Sequence, residues 1–426
     1  MRVFSGKMTI CFFSFISFNM GPVFSAEDLL SQPSLQLEVL VKEVLKRNPN
    51  LEAARDRIKA ASEVIPRVQA LEDPEFMFLS DYNNLKPKSA FMPMLEYRIS
   101  QTFPFPGKLG LKGKVAAEVL KQFQSQEIGT RSDLILQTKK LYFQLLFNGM
   151  SLQITKSNHD LVKDLIDASL ALYKSGIAGY EEVTKVQIEL QILDEQLLTI
   201  QSDRIFIVSM LNALLDRPQK DPLGEPVKNA KSFIGFSYEQ LEGLAMQKRS
   251  ELKEIQAMVV EQQMMTRLAK REYFPDVTIA AGYEQITHNP KDNAWETSVS
   301  FKIPLFICQK QKRQVREAEA RVSANKNALK GMEALVRGQI QDISGKLKAN
   351  EERVCLYETG LIPKIREALK ASEASYRTGK GGFLSLLDTR RQYQDISLEY
   401  ERVKIEQESL IAELERAVGA PLEEMQ

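Results

Sequence analysis

Apolar residues recur three and four apart from Gly107 to Tyr173, through Leu134, Leu136, Leu141, Leu145, Ile154, Leu161, Leu165 and Leu172, with no proline among them. That period is helical. It predicts one helix of about 67 residues, or about 100 Å at 1.5 Å per residue. A second run extends from about Cys308 to Tyr376 and contains only Pro363, which should kink the helix rather than end it, because the pattern resumes at Ile365, Leu369 and Tyr376. Shorter helical stretches cover residues 35 to 70, 180 to 216, 238 to 272 and 383 to 418. Each reads as one helix of about 37 residues, or roughly 55 Å. Two of them laid end to end match one long helix, so the expected unit is a long rod paired with two stacked short ones.

Between the first short helix and the long helix of each unit the period changes to two. Tyr97, Ile99 and Phe103 alternate with Glu96, Arg98, Ser100 and Thr102, and Trp295, Val299, Phe301 and Ile303 alternate with Glu296, Ser298, Ser300 and Lys302. Each run has an upstream partner, DPEFMFLSDY (73 to 82) and PDVTIAAGYEQ (275 to 285). The prediction is two hairpins, with strands at about 73–82 and 94–104 and at about 275–286 and 294–304. Strands of about ten residues with a dyad pattern have the length and alternation of a membrane-spanning barrel. In that register Tyr97, Ile99, Trp295, Val299 and Phe301 face lipid, while Arg98, Glu296 and Lys302 face the lumen. The competing reading is a pair of hairpins on a soluble core. Four strands cannot close a barrel, because about eight are needed merely to fill one with side chains.

Landmarks repeat at one offset. The stretch YKSGIAGYEEV (173 to 183) returns about 203 residues later as YRTGKGGFLSLLD (376 to 388), and EYRISQTFPF (96 to 105) returns 200 later as ETSVSFKIPL (296 to 305). LLDRP precedes VGAP, and NPNLEA precedes RSELKE, by nearly the same distance. A period of roughly 200 residues is too long for a solenoid and indicates duplication of a whole assembly. The expected organisation is a leader over 1–26, a first repeat over 27–226 and a second over 227–426. The long helices fall at about 107–175 and 308–377. Gly176 and Gly379 suit the left-handed position that follows a helix C-terminus.

Composition narrows the class. The 57 basic and 56 acidic residues give no excess that would argue for nucleic acid. Arg2 and Lys7 precede the apolar stretch TICFFSFISF, and VFSA ends in small residues before Glu27, which is the order of a secretory signal peptide. In the exported chain no later stretch of 18 apolar residues is expected, so a transmembrane helix is not predicted. A sheet that spans lipid must close completely, and several copies would have to pool their strands. Cys308 and Cys355 read as lying on one helix about 70 Å apart, too far for a disulfide.

Catalytic chemistry has little to work with. The chain has only His159 and His288, no HExxH, no paired-cysteine motif and no phosphate loop after a strand. GKGG (379 to 382) lacks the lysine and serine or threonine that a phosphate cradle needs. MPM at 92 to 94 and the pair Met264 and Met265 are soft-metal candidates, but methionine more often fills a core. No enzyme, cofactor or resident metal site is predicted.

These residues together resemble the TolC family of outer-membrane efflux channels, through the internal repeat, the paired hairpins, SQTFPFPGKLGLKGKVAAE (100 to 118) and the two turns. Within that family the FPFPGKLGLKGK stretch resembles the CzcC/CusC heavy-metal group. The resemblance implies a homotrimer with a twelve-stranded barrel in outer-membrane lipid, continuous with an α-helical tunnel in the periplasm. It also implies a periplasmic adaptor protein and an inner-membrane RND-type pump as partners, and heavy-metal cations as cargo. The two turns, with Tyr173, Gly176, Gly179, Tyr376, Gly379 and Gly382, would ring the periplasmic mouth and meet the adaptor or pump. Glu182, Ser385 and Asp388 match positions that line the narrow entrance. Drug efflux and type I protein secretion are alternative cargoes. A soluble periplasmic coiled-coil adaptor is the alternative of another class.

Overall fold

A computed structural model describes residues 34–81, 94–176, 179–228, 237–286, 293–378 and 382–422. The leader expected over 1–26, Met92, Pro93, His288 and Gly379 lie outside those residues. The first repeat contains β1 (Ser34–Leu35), α1 (Leu37–Arg47), α2 (Pro49–Gln69), β2 (Glu75–Asp81), β3 (Met94–Phe103), α3 (Lys108–Lys174), α4 (Tyr180–Leu214) and β4 (Glu225–Pro226). The second contains α5 (Tyr238–Lys248), α6 (Ser250–Arg271), β5 (Val277–Ile286), β6 (Ala294–Phe301), α7 (Gln311–Leu356), α8 (Ile362–Arg377) and α9 (Phe383–Val418).

The long helix of the first repeat is unbroken over 67 residues. Its counterpart is interrupted by a π turn at Tyr357–Leu361, directly before Pro363. The interruption has a register cause. Leu134 corresponds to Val336, Thr138 to Ile340, Leu145 to Leu347 and Asn148 to Asn350, all buried and all 202 apart (336 − 134, 350 − 148). Tyr173 and Tyr376 at the turns are 203 apart (376 − 173). The second helix therefore carries one extra residue between Asn350 and Tyr376, and a π turn is how a helix absorbs one residue without losing its buried face.

Four expectations require correction. Residues 35 to 70 form two helices, because Asn48 is extended (φ −66°, ψ 121°) and Pro49 opens α2, while Asn48 Oδ1 accepts from Asn50 N at 3.0 Å. Residues 238 to 272 break in the same way at Arg249, with no proline to announce it. The second long helix starts at Gln311, so Cys308 is exposed in the preceding turn segment rather than helical. Lys302 and Ile303 likewise fall just past the end of β6.

The stacked short helices are stitched where they meet. Asn48 Nδ2 donates to Leu214 O at 2.9 Å, closing the C-terminus of α4 against the α1–α2 break. In the second repeat an Arg249 guanidinium N–H donates to Ala417 O at 2.9 Å, closing α9 against the α5–α6 break. Each joint sits on its own apolar core. Leu40, Val44, Leu51, Leu145, Leu211 and Leu215 fill the first, and Leu241, Leu252, Ile340, Leu347, Leu414 and Val418 the second.

The two hairpins join into one antiparallel sheet in the order β2-β3-β5-β6. Register places Phe78, Tyr97, Tyr283 and Trp295 in one row across all four strands, with ring centroids 5.2 Å apart for Phe78–Tyr97 and 5.1 Å for Tyr283–Trp295. Phe76, Ile99, Ile279, Val299, Phe103, Val277 and Phe301 share that face and are all exposed. The opposite face carries Arg98, paired with Glu96 at 2.5 Å and Glu296 at 3.2 Å, and Thr102 hydrogen-bonded to Thr278 at 2.9 Å. Below the sheet, Lys108 is buried and its ammonium reaches Asp276 at 2.9 Å and Phe274 O at 3.2 Å, while Phe105 stacks on Phe274 at 4.5 Å. This junction ties the first repeat to the second.

Among the described residues one helix, α4, is long and apolar enough to cross a membrane by length and composition, with mean hydropathy 1.2 over an 18-residue window. Its charged residues had masked that property in the reading of the sequence. Only 17% of the window is buried, and Ile188, Ile192, Leu198, Ile205, Phe206 and Met210 are exposed along it.

Candidate functional site at the repeated turn

The end opposite the sheet is built from both repeats. Val162 from α3, Val186 and Leu193 from α4, and Phe383 and Leu387 from α9 form a small buried cluster, against which Leu190 and Tyr376 pack. Of the turn glycines, Gly176 has φ +74° and follows the last turn of α3, with Gly176 N donating to Tyr173 O at 3.0 Å. That backbone is the left-handed conformation that glycine adopts without a Cβ penalty. Gly179 and Gly382 are extended N-caps of α4 and α9. Tyr173 packs on Tyr180 at 5.6 Å, and Tyr376 meets Phe383 edge-on at 5.7 Å, so each turn is closed by an aromatic pair.

The predicted entrance residues divide. Glu182 lies against the second repeat, close enough that its charge acts on Tyr376: burial first, and then the Glu182 carboxylate, push the Tyr376 phenol above its ordinary pKa. Both effects disfavour the phenolate. Ser385 and Asp388 are on the exposed face of α9, where the Asp388 carboxylate accepts from Gln392 at 2.9 Å. Glu181, beside Glu182, pairs with Lys185 on the outside of α4.

Sequence reasoning missed a polar tie across the repeats. Glu189 is buried among Val186, Leu190 and Leu193 and is bound by the Arg391 guanidinium from α9. Gln394 donates to Gln196 at 3.1 Å and accepts from Asn158. The signal was present as a lone carboxylate on the apolar face of α4, since an acid there needs a partner.

Among the described residues no three His, Cys, Asp or Glu side chains converge as a metal site. His159 is flanked by Asp160 at 3.1 Å and Asp194 at 3.2 Å. Met265 lines an apolar groove with Val115, Val119, Phe123 and Leu268, in the manner of a gap filler.

Residues 241–420 match the outer membrane efflux protein family. The chain is TolC-like in fold, and its second repeat carries the match to that family. The TolC-like chain is 22% identical to outer membrane protein TolC of Vibrio cholerae over 71% of its own length and 72% of that protein. It is 20% identical to the cobalt-zinc-cadmium resistance protein CzcC of Cupriavidus metallidurans, over 90% and 88% of the two chains. A crystal structure of CusC superposes with a TM-score of 0.79 at 15% identity, covering 95% of this chain and 96% of that one. The fold of long rods and one narrow sheet is thus shared with solved outer-membrane channels, which are not enzymes.

Proposed function

We propose that three copies of this chain form an outer-membrane conduit of a tripartite efflux pump, and that heavy-metal cations are its cargo. The observation that carries this reading is the sheet. Among the described residues it has four strands, one exposed face that is mostly apolar, broken by Gln101 and Thr297, and an opposite face that carries the charges. Three copies supply twelve strands, which is enough to close a barrel. The row Phe78, Tyr97, Tyr283 and Trp295 then becomes an aromatic girdle at a lipid interface, and Arg98, Glu96 and Glu296 face water. The helices continue into the periplasm as the tunnel wall. The exposed stripe of α4 is covered by α7 and α8 of the next copy, repeating the packing of α3 on α9 within the chain.

The repeats 27–226 and 227–426 each place one turn at the periplasmic mouth, so three chains present six turns to an adaptor protein and, through it, to an RND-type inner-membrane pump. Glu182 and Asp388 surround that mouth with one sign of charge, which favours cations. The relatives CzcC and CusC support metal cargo, while the likeness to TolC keeps drugs and secreted proteins as the second reading. A soluble adaptor would leave the apolar sheet face without a purpose.

The decisive experiment expresses the chain in a strain lacking its own channel, beside either a metal pump with its adaptor or a drug pump with its adaptor. Restored tolerance to cobalt, zinc or cadmium is expected. Restored drug tolerance alone overturns the cargo, and neither, with trimers present in the outer membrane, overturns the conduit. Single-channel recording of the Glu182→Gln, Asp388→Asn double variant tests the mouth, where reduced cation preference is expected.

A further inference from the structure

The two edges of the sheet differ in charge. In the order β2-β3-β5-β6, β2 and β6 have no neighbour on their outer sides among the described residues. An edge strand carries unpaired backbone groups and invites another strand. The chain entering β2 reads LEDPE (71 to 75), which is acidic, and the chain beyond β6 reads CQKQKR (308 to 313), which is basic. Leu71, Ile303, Leu305 and Phe306 are exposed close to these charges in sequence. One chain thus carries complementary charge and uncovered apolar area at its two edges.

The junction inside the chain shows how such edges meet. Where the first repeat abuts the second, Lys108 at the start of α3 is 3% exposed, and its ammonium lies 2.9 Å from the Asp276 carboxylate just before β5. Phe105 N donates to the same carboxylate at 2.7 Å. Duplication allows both charges to be carried to the outer edges. Gly113 and Ala116 of α3 become Val315 and Ala318 of α7, all buried, at an interval of 202 (315 − 113, 318 − 116). For the short helices and the strand after them the interval is 201, from Asn48 to Arg249 and from Pro74 to Pro275 (249 − 48, 275 − 74). Strand register agrees independently, because Phe76 lies opposite Ile99 and Val277 opposite Phe301, the same two intervals apart (277 − 76, 301 − 99). By these intervals Lys108 becomes Lys310 and Asp276 becomes Glu75 (108 + 202, 276 − 201). The sign of charge is kept at both positions. Lys310 and Glu75 are nevertheless exposed, have no ion-pair partner among the described residues, and belong to opposite edges of one sheet.

We propose that Lys310 of one copy pairs with Glu75 of the next, repeating the Lys108–Asp276 junction at the seam between copies, and that β6 meets the neighbour's β2 with Phe301 opposite Ser80. That register is the β3–β5 pairing, in which Ile99 faces Ala281, carried outward by the same intervals (99 + 202, 281 − 201). Each copy offers a different edge to each neighbour, a head-to-tail contact that can close into a ring. The seam rests on the conduit reading and adds to it the side chains that select the neighbour. The interval of 200 between Pro104 and Pro304 gives a different register, with Phe301 opposite Phe78.

The test heats the full chain extracted from the outer membrane and scores trimers against monomers. Glu75→Lys and Lys310→Glu change exposed side chains and do not burden folding, and each should lower the dissociation midpoint by roughly 5 °C or more. The double reversal should recover most of that loss. With Cys11, Cys308 and Cys355 replaced by serine, the pair Phe301→Cys and Ser80→Cys should give covalent trimers in the absence of reductant. Phe301→Cys with Phe78→Cys should not. Trimers that keep the wild-type midpoint in both charge variants overturn the seam and leave the conduit standing, as does cross-linking through position 78 instead of 80. Loss in Lys310→Glu alone, not recovered by Glu75→Lys, assigns the basic edge to anionic lipid and overturns the pairing. A wild-type chain that reaches the outer membrane without forming trimers overturns the conduit and the seam together.

Discussion

The two joints where short helices stack end to end share one geometry and differ in chemistry. In the first, Asn48 caps α2 and donates to Leu214 O. In the second, Arg249 donates to Ala417 O, and around it lies a charged network. Glu251 accepts from Arg416 at 2.7 Å and pairs with Arg249 at 3.3 Å, and Arg416 also holds Asp133 of the long helix at 2.6 Å. The corresponding positions in the first repeat are Asn50 and Ala213 (251 − 201, 416 − 203), which cannot make such a network. The comparison teaches that duplication retained the buried apolar positions, which fix where the helices lie. The polar chemistry closing the gaps was free to diverge, so one joint is neutral and the other ionic.

The largest expected effect tests the close approach that the second joint requires. Gly419 follows α9 with φ +80°, and a Cβ there would stand 3.0 Å from Arg249 Cα and 3.1 Å from Arg249 N. Backbone cannot yield as a flexible side chain can. Gly419→Val adds left-handed strain of about 1–2 kcal/mol to an overpacking cost of about 1–3 kcal/mol. Its thermal midpoint should fall more than that of any other variant at either joint. A midpoint equal to wild type would mean that the α5–α6 break does not press on α9.

Next is the charge network. Burial pushes the Glu251 carboxyl up, but the Arg416 hydrogen bond, its own backbone N–H and the charges of Arg249 and Arg416 outweigh this and hold it at about 2. Glu251→Gln leaves Arg416 with Asp133 alone and should cost about 2 kcal/mol, less than the 3–5 kcal/mol of a fully buried broken pair because the site is partly open. The sign of the pH effect follows from linkage. The folded value is depressed, so the stabilisation is complete above the unfolded carboxylate range near 4.5 and is lost as pH falls toward about 2. Melting wild type and Glu251→Gln in parallel should give a gap that is constant from pH 7 to about 5 and closes below it. A gap independent of pH down to about 2 would show that Glu251 acts through packing and not charge.

Much of this architecture was legible because it rests on period. The lengths of the rods, the alternation of the strands and the turns at Tyr173 and Tyr376 all follow from residue spacing. What escaped depends on a partner distant in sequence. Arg249 and Ser250 have ordinary helix propensity, and the chain breaks there because α9 ends against it. The π turn at Tyr357–Leu361 is visible only when buried positions of two helices are compared. At the repeated turn, Glu182 was named from alignment of the two copies, whereas Glu189, seven residues on, is the buried acid that binds α9 through Arg391.

The smallest effect is expected at the neutral joint, and it separates two bonds made by one side chain. Asn48 is 3% exposed; its Oδ1 caps Asn50 N, and its Nδ2 reaches Leu214 O. Asn48→Ala removes both and should cost about 1–2 kcal/mol, the range for a lost N-cap. Asn48→Ser keeps a capping oxygen of similar quality and loses only the donor to Leu214 O, so it isolates the stitch between α4 and the break. A net hydrogen bond contributes about 0.5–1.5 kcal/mol, and Asn48→Ser should fall between wild type and Asn48→Ala. Neither Asn48 nor Leu214 titrates, so both losses should be flat from pH 7 to 3, where the Glu251 gap closes. If Asn48→Ser matches wild type, the stitch carries no stability and the first joint is held by its apolar core alone. If its loss varies with pH, a charged group has been overlooked there and the contrast between the joints fails.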